Sequence, residues 1–151
     1  MTRPTRGFTL IELLIVIVIM GIVGTIALPK LSSSSTKLSA RAAQHEIAAY
    51  LARARAAAIA SGRNAAFVRS GDQIAVLVDD GSGGTTSLGV RELGSEHGVT
   101  LSASQDTIRF DPRGIAAGLS GSVPIIVEKG DVRDTVCVVG LGKVSVQGCT
   151  L

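Results

Sequence analysis

The chain has 151 residues, a formal net charge of +3 and a pI near 9.2, and only 3% of its residues are aromatic. Outside the apolar segment described below, roughly 120 residues remain, which suits one compact domain and excludes two large ones. Residues 30–63 carry six basic side chains and one acidic one, whereas residues 64–151 carry seven basic and ten acidic ones, so a head domain that is basic overall is excluded.

The first predicted element is a membrane-spanning helix over residues 8–28. These 21 residues contain one charged side chain, Glu12. A helix of this length spans the roughly 30 Å hydrocarbon core of a bilayer, whereas a cleavable secretory signal has an apolar core of only about 7 to 15 residues. Arg3 and Arg6 precede the segment, so the positive-inside rule places residues 1–7 in the cytoplasm and the remainder outside.

The carboxylate of Glu12 requires an explanation, because an acidic side chain at the centre of a membrane helix costs about 2.5 to 3.5 kcal/mol. Cleavage between Gly7 and Phe8 would create an α-amino group four residues before Glu12. That amine, or the amine of a neighbouring copy, could pair with the carboxylate. Alternatively, Glu12 reaches the lipid headgroups from near the end of the helix.

The run Gly7-Phe8-Thr9-Leu10-Ile11-Glu12-Leu13-Leu14 closely resembles the type III signal sequence of type IV pilins and type II secretion pseudopilins. The resemblance implies that a prepilin peptidase cuts after Gly7 and methylates Phe8, and that Glu12 pairs with a neighbouring subunit's amino terminus. Pro29 stands where these proteins often carry a helix-bending proline.

The same resemblance implies a location and a set of partners. It places the protein in the bacterial inner membrane with a single span and a periplasmic C-terminal head, ready for incorporation into a pilus or pseudopilus. The implied partners are other pilin or pseudopilin subunits, the prepilin peptidase and an inner-membrane assembly platform.

Residues 29–62 are predicted to continue the helix in the periplasm. Apolar residues recur at helical spacing, the Ala-rich run over 52–60 has high helix propensity, and Gly62 supplies the stop. Pro29 and the serines over 32–35 mark a weak place where we expect a bend or local melting. The residues predicted to line the buried face are Ile47, Tyr50, Leu51, Ala54 and Ala58.

Basic residues in this helix are candidates for contact with nucleic-acid phosphates, chiefly Arg53 and Arg55. A solvated helix face is the favoured interpretation, because Tyr50 is the only aromatic residue interleaved with them. Nucleic acid is therefore an unlikely partner on sequence grounds.

The remaining residues, 63–151, are predicted to form a β-rich head laid on the helix. The predicted fold class is α+β and pilin-like, with a long N-terminal helix packed on an antiparallel sheet or on two sheets. Turns are expected at 70–72, 130–131 and 140–142, and a type I turn at 111–114. The predicted strands are 65–69, 73–79, 86–92, 99–103, 107–110, 123–128, 132–139 and 143–147.

Two further segments, 52–62 and 108–114, resemble the end of the long helix and a strand with its turn in the minor pseudopilin H, or GspH/FimT-like, group. Some FimT-like members bind DNA through basic residues near the C-terminus. Here that region offers only Lys143 after Arg133, so the DNA-binding role is not carried over.

Cys137 and Cys149 are the only cysteines, and an even pair in an exported protein favours a disulfide. Closing a loop of roughly 15 residues contributes about 3 kcal/mol in the chain-entropy model. If the hairpin turns at 140–142, Cys137 faces about Ser145, so the tail must curl back. The alternative is two buried thiols.

We predict no enzymatic activity, cofactor or metal. His45 and His97 stand without metal-ligand spacing, and residues 140–143 lack the spacing of a phosphate-binding loop. Residues 79–84 could bind calcium but are more simply a flexible turn. The predicted function is that of a minor pseudopilin of a type II secretion system. The alternatives are a FimT-like minor type IV pilin that serves pilus assembly or DNA uptake, and a secreted hydrolase with an ordinary signal peptide.

Overall fold

The structure is a computed structural model that describes residues 8–119, 121–146 and 148–149, with the backbone alone for residues 26–33. The chain divides into two compact units, one ending at Ser35 and one beginning at Thr36. In chain order the elements are α1 (Leu10–Ser61), β1 (Ala65–Ser70), β2 (Gln73–Asp79), β3 (Thr85–Glu92), α2 (Leu93–His97), β4 (Thr100–Ala103), β5 (Thr107–Phe110), β6 (Ala116–Ala117), β7 (Ser122–Lys129), β8 (Val132–Val139) and β9 (Val144–Ser145).

Helix α1 is 52 residues long and continues through Pro29 and the serines that follow it. The local melting expected there is not observed, and the bend stays a prediction. Gly62, with a φ of 63°, adopts the left-handed conformation directly after the last helical residue, which confirms the predicted stop.

Among the described residues, no helix is both long and apolar enough to cross a membrane. The membrane span expected over residues 8–28 extends into positions 26–28, whose side chains lie outside the described ones. The span, the cleaved leader at 1–7 and the domain boundaries that follow from them stay predictions.

The strands form two antiparallel sheets, with the orders β3-β2-β1-β5-β6 and β4-β7-β8-β9. The predicted turns at Gly71 and Gly130 are present, each with a positive φ, and the turn after Asp111 closes through a 2.8 Å bond from the Gly114 amide to the Asp111 carbonyl. The short helix α2 and the strand β6 were not predicted. Neither has enough residues to display a hydrophobic period.

The core lies between one face of α1 and the inner faces of both sheets. As predicted, Ile47, Leu51, Ala54 and Ala58 are fully buried on the helix, and Tyr50 packs at the margin. Alanines on this face bring the helix backbone close to the sheets, while larger side chains from the strands fill the space. The largest fully buried strand residues are Phe67, Phe110, Ile74, Ile108 and Ile125.

Candidate assembly site

The candidate assembly site begins at the first turn of α1. The Glu12 amide donates a hydrogen bond to Thr9 Oγ1 at 3.3 Å, so Thr9 caps the helix. Glu12 is the acidic residue of the first turn, where a carboxylate interacts favourably with the helix dipole. Sequence reasoning missed this cap, although Thr9 and Glu12 have the spacing of a capping box. Gly7, the other half of the predicted cleavage site, lies outside the described residues.

The side chains from Phe8 to Val23 are apolar except for Thr9 and Glu12, and they are exposed around the whole helix. Leu10 is 83% exposed, and every large hydrophobic residue from Phe8 to Val23 is at least 44% exposed. A helix that is apolar on all sides is stable when lipid or other helices cover it. The apolar surface of the first unit is therefore suited to burial against lipid or against helices of other chains.

Gln44 joins α1 to the end of the chain. It is the buried polar residue of the described part, and its Nε2 donates to the carbonyl oxygens of Thr135 at 2.9 Å and Val146 at 2.8 Å. Strand β8 and the segment after β9 are thereby held against the helix. Sequence reasoning missed this role, because its partners lie 91 and 102 residues away in the chain.

The C-terminal segment is fixed a second time by a disulfide between Cys137 and Cys149, whose Cα atoms are 5.3 Å apart. Cys137 is opposite Ser145 in the β8–β9 register, as the predicted turn requires, and the tail returns to reach it. The disulfide prediction is confirmed, and the alternative of two free thiols is not.

A charged cluster ties α1 to the edge of the first sheet. Glu46 accepts a 2.5 Å hydrogen bond from Arg91 Nε and lies 3.1 Å from His97 Nε2. Burial raises the pKa of Glu46, but the hydrogen bonds from Arg91 and His97 outweigh it and hold that pKa below its usual value. The hydrogen bond to Glu46 in turn raises the pKa of Arg91. His97 thus has a partner, in contrast to the isolation that the sequence indicated.

The same cluster contains the one grouping of possible metal ligands among the described residues. Oxygen or nitrogen atoms of Glu46, Glu96 and His97 lie within 4.8 Å of one another. Arg91 lies between the two carboxylates, bonded to Glu46 and 3.4 Å from Glu96. The guanidinium supplies the positive charge that a metal would bring, so the arrangement is that of an ion-pair network.

The two arginines considered for nucleic acid differ in environment. Arg55 is half-buried, and its Nη1 donates to the Gly142 carbonyl at 3.1 Å. Its guanidinium therefore links α1 to the β8–β9 turn. Arg53 is exposed and lies beside Gly89 of β3. The structure does not bring the two side chains into one basic patch, and their contact with nucleic acid stays a prediction.

In the acidic loop over residues 79–84, which was a candidate for calcium binding, other groups of the loop form hydrogen bonds with the carboxylate of Asp80. Asp80 Oδ1 accepts hydrogen bonds from the Ser82 amide at 2.8 Å, the Ser82 hydroxyl at 2.7 Å and the Gly84 amide at 3.1 Å. The Ser82 hydrogen bonds are the main reason that the pKa of Asp80 lies below its usual value. These bonds close a turn around Asp80, in agreement with the simpler of the two interpretations made from the sequence.

Together, a long N-terminal helix with an exposed apolar start and a two-sheet antiparallel head define a pilin-like protein. The chain resembles the type IV minor pilin FimU of Pseudomonas aeruginosa strain PAO1 in two crystal forms. The TM-scores are 0.60 and 0.58 at 15% sequence identity, over 72% of this chain and 88% or 93% of the FimU chain. At this identity the likeness shows the fold alone.

Two family descriptions match the sequence itself. Residues 2–28 match the prokaryotic N-terminal methylation motif, and residues 43–142 match the type II transport protein GspH. No curated protein sequence gives a significant match. The chain belongs to the GspH family, a family of structural pilins and pseudopilins, and the resemblance drawn from its N-terminal motif is confirmed.

Proposed function

We propose that the chain is a minor pseudopilin, a structural subunit of the periplasmic pseudopilus of a type II secretion system. The observation that carries the proposal is the joining, in one chain, of a methylation motif over residues 2–28 to a GspH head over residues 43–142. The exposed apolar residues between Phe8 and Val23 supply a surface for burial in the membrane before assembly and among other subunits afterwards.

Glu12 directs assembly in this proposal. The prepilin peptidase removes residues 1–7 and methylates Phe8, leaving a positively charged amino terminus. Glu12 is exposed in the first turn of α1, and no ion pair engages it within the described residues. Pairing with a neighbouring subunit's amino terminus offsets the cost of about 2.5 to 3.5 kcal/mol that a lone carboxylate incurs in the bilayer.

The proposed location is the bacterial inner membrane, with one span and the head in the periplasm. The Cys137–Cys149 disulfide supports this placement, because disulfides persist in the bacterial periplasm and are rare in the cytosol. The charge order supports it as well, since Arg3 and Arg6 precede the apolar segment.

Processing is tested by mass spectrometry of the mature chain purified from its own membranes. The expected amino terminus is N-methylated Phe8. A mature chain beginning at Leu28 or later would instead identify an ordinary secretory signal and exclude a pilin.

Assembly is tested by recovery of the subunit in sheared filaments. We expect Glu12→Gln to reduce incorporation at least tenfold while the membrane-bound amount is unchanged, because a neutral amide cannot pair with the amine. Glu128→Gln makes the same chemical change on β7, and we expect it to assemble normally. Normal incorporation of the Glu12 variant would refute the proposed role.

A second candidate is a minor type IV pilin that serves pilus assembly or DNA uptake, and the structural likeness to FimU favours it. Titration of DNA against the purified chain separates the two. Salt-sensitive binding that is lost in Arg53→Gln would support the second candidate, since phosphate contacts release counterions. Arg53 is the appropriate site because Arg55 also holds the Gly142 carbonyl.

A further inference from the structure

Strand β3 forms the edge of the first sheet and is unusually open. It has eight residues, of which all but Gly89 are exposed. In the part of the chain that is described, no strand pairs with its outer edge. The other edge strands are shorter, with four residues in β4 and two each in β6 and β9. A long edge leaves a row of backbone donors and acceptors ready to pair with another strand.

The outer face of β3 is apolar at its centre. Leu88 is 37% exposed and Val90 is 49% exposed. The pairing with β2 shifts register between Val76 and Leu77, so Leu88 has no opposite residue. Such a bulge increases the local twist, so a strand that adds to this edge has to follow that twist.

On the helix-facing side of the same strand lies the positive charge of Arg53, a residue of α1. A side chain at Gly89 would meet Arg53 Nη1 at 3.1 Å and the Tyr50 hydroxyl at 3.3 Å, so Arg53 lies directly over the strand. Arg53 is exposed, and no described residue forms an ion pair with it. The neighbouring Arg91 is already committed to Glu46.

The acidic groups at the two ends of the edge are also engaged. Glu92 accepts a hydrogen bond from Gln73, and the Asp80 carboxylate is held by its own loop. These two carboxylates keep their charge but lie at the ends of the edge, whereas Arg53, at its middle, has no carboxylate partner among the described residues, so an acidic group presented from the helix side beside Gly89 would pair with it.

We propose that β3 is a docking edge that adds one extended strand of a partner protein, and that an acidic side chain of that strand pairs with Arg53. The backbone of β3 supplies the affinity, as in other cases of strand addition. Leu88 and Val90 contact apolar side chains of the added strand on the outer face. Arg53 selects for an acid on the opposite face, since alternate residues of a strand point to opposite sides.

The test uses the full chain in detergent micelles and a synthetic peptide of about ten residues that alternates threonine and valine around a central glutamate. Binding is measured by titration, and hydrogen exchange of β3 amides locates it. A twin peptide carries glutamine at the centre. A third peptide keeps the glutamate but has proline at alternate positions, which removes the donors needed for pairing.

We expect the glutamate peptide to bind and to slow exchange in β3. Arg53→Gln should weaken that binding about fivefold, to the affinity of the glutamine twin, because an exposed ion pair contributes up to about that factor. Arg41→Gln removes an exposed charge elsewhere on α1 and should leave the binding unchanged.

Three outcomes would overturn the proposal. The first is an absence of binding or of protection in β3. The second is equal binding by the proline peptide, or equal loss in Arg41→Gln, either of which indicates unselective charge attraction. The third is protection of β3 that rises with protein concentration alone, which indicates pairing between two copies. Peptide binding is measured without filament assembly, so its failure leaves the function proposed above intact.

Discussion

Glu46 of helix α1 accepts a hydrogen bond from Arg91 of strand β3, with 2.5 Å between Oε1 and Nε, and this ion pair connects the long helix to the edge of the first sheet. The carboxylate is largely covered, with 18% of its side chain exposed, whereas the arginine is 47% exposed. Helix α2 adds His97 to the same carboxylate. One acidic group therefore connects α1 to β3 and α2, two consecutive elements whose bonded residues lie 45 and 51 positions further along the chain.

Replacing Glu46 with glutamine should lower the free energy of unfolding by about 1 kcal/mol at pH 7, because the pair with Arg91 is lost. Thermal or urea denaturation measures the loss. Glu128→Gln removes the more exposed pair with Arg133 and should cost less than about 0.5 kcal/mol. Equal losses in the two variants would contradict the special position of Glu46.

The Glu46 carboxylate also predicts that the stability of the fold depends on pH. The pKa of Glu46 is lower in the folded chain than its ordinary value of 4.5. Its contribution is therefore complete above about pH 4.5 and is lost as the pH falls through the lowered pKa. The stability difference between wild type and Glu46→Gln should shrink as the pH is lowered through this range, as urea unfolding at a series of pH values would reveal. A difference that stays constant into strong acid would be inconsistent with this linkage.

Gln44→Leu should destabilise the head by about 1 to 3 kcal/mol, because the carbonyl oxygens of Thr135 and Val146 lose their donor. Hydrogen exchange should increase around residues 144–146. Gln73→Leu, at a glutamine whose side chain bonds an exposed carboxylate, is the matched control and should change stability by less than about 0.5 kcal/mol. Unchanged exchange near Val146 would show that Gln44 does not hold the tail.

Reduction of the disulfide between Cys137 and Cys149 should lower stability by about 3 kcal/mol. Denaturation with and without reductant measures the effect. Cys149→Ser should unfold as early as the reduced wild type and should no longer respond to reductant. A response of the variant to reductant would indicate another cause.

Gly142→Ala should cost about 3 kcal/mol or more, because a side chain there would collide with the Gly114 backbone carbonyl at a φ of 74°. Gly130→Ala tests only the cost of placing a residue with a side chain at a positive φ. Its φ is 56°, it occupies the other hairpin turn of the same sheet, and open space surrounds it. We expect a loss of about 1 kcal/mol there. Denaturation midpoints compare the two, and equal losses would exclude the steric cause.

The sequence predicted the features that depend on local patterns. The face of α1 containing Ile47 and Leu51 follows from helical spacing, and the hairpin at Gly130 follows from a glycine between two apolar runs. The position of Ser145 opposite Cys137 in the β8–β9 register follows from counting residues outward from the turn. Each of these inferences uses residues that are close in the chain.

The features that the sequence did not predict depend on contacts between distant segments. Nothing near Gln44 indicates that its amide would meet residues 135 and 146, and nothing near Glu46 indicates Arg91 or His97. The sequence does not decide between one sheet and two for the same reason, because strand order follows from long-range packing. The short helix at Leu93–His97 is fixed by the burial of Leu93 and by the left-handed Gly98 after it.

The hydrogen bond from the Glu12 amide to Thr9 Oγ1 has a consequence for the proposed processing of the chain. Thr9 lies two positions beyond Gly7, so a peptidase acting at that glycine removes nothing that the first helical turn requires. In the proposed mature chain, which begins at Phe8, the Thr9 cap and the helical turn that starts at Leu10 are both retained, and Glu12 stays in that turn. For the assembly proposed above, we therefore expect no separate step that orders the first helical turn before a subunit joins the polymer.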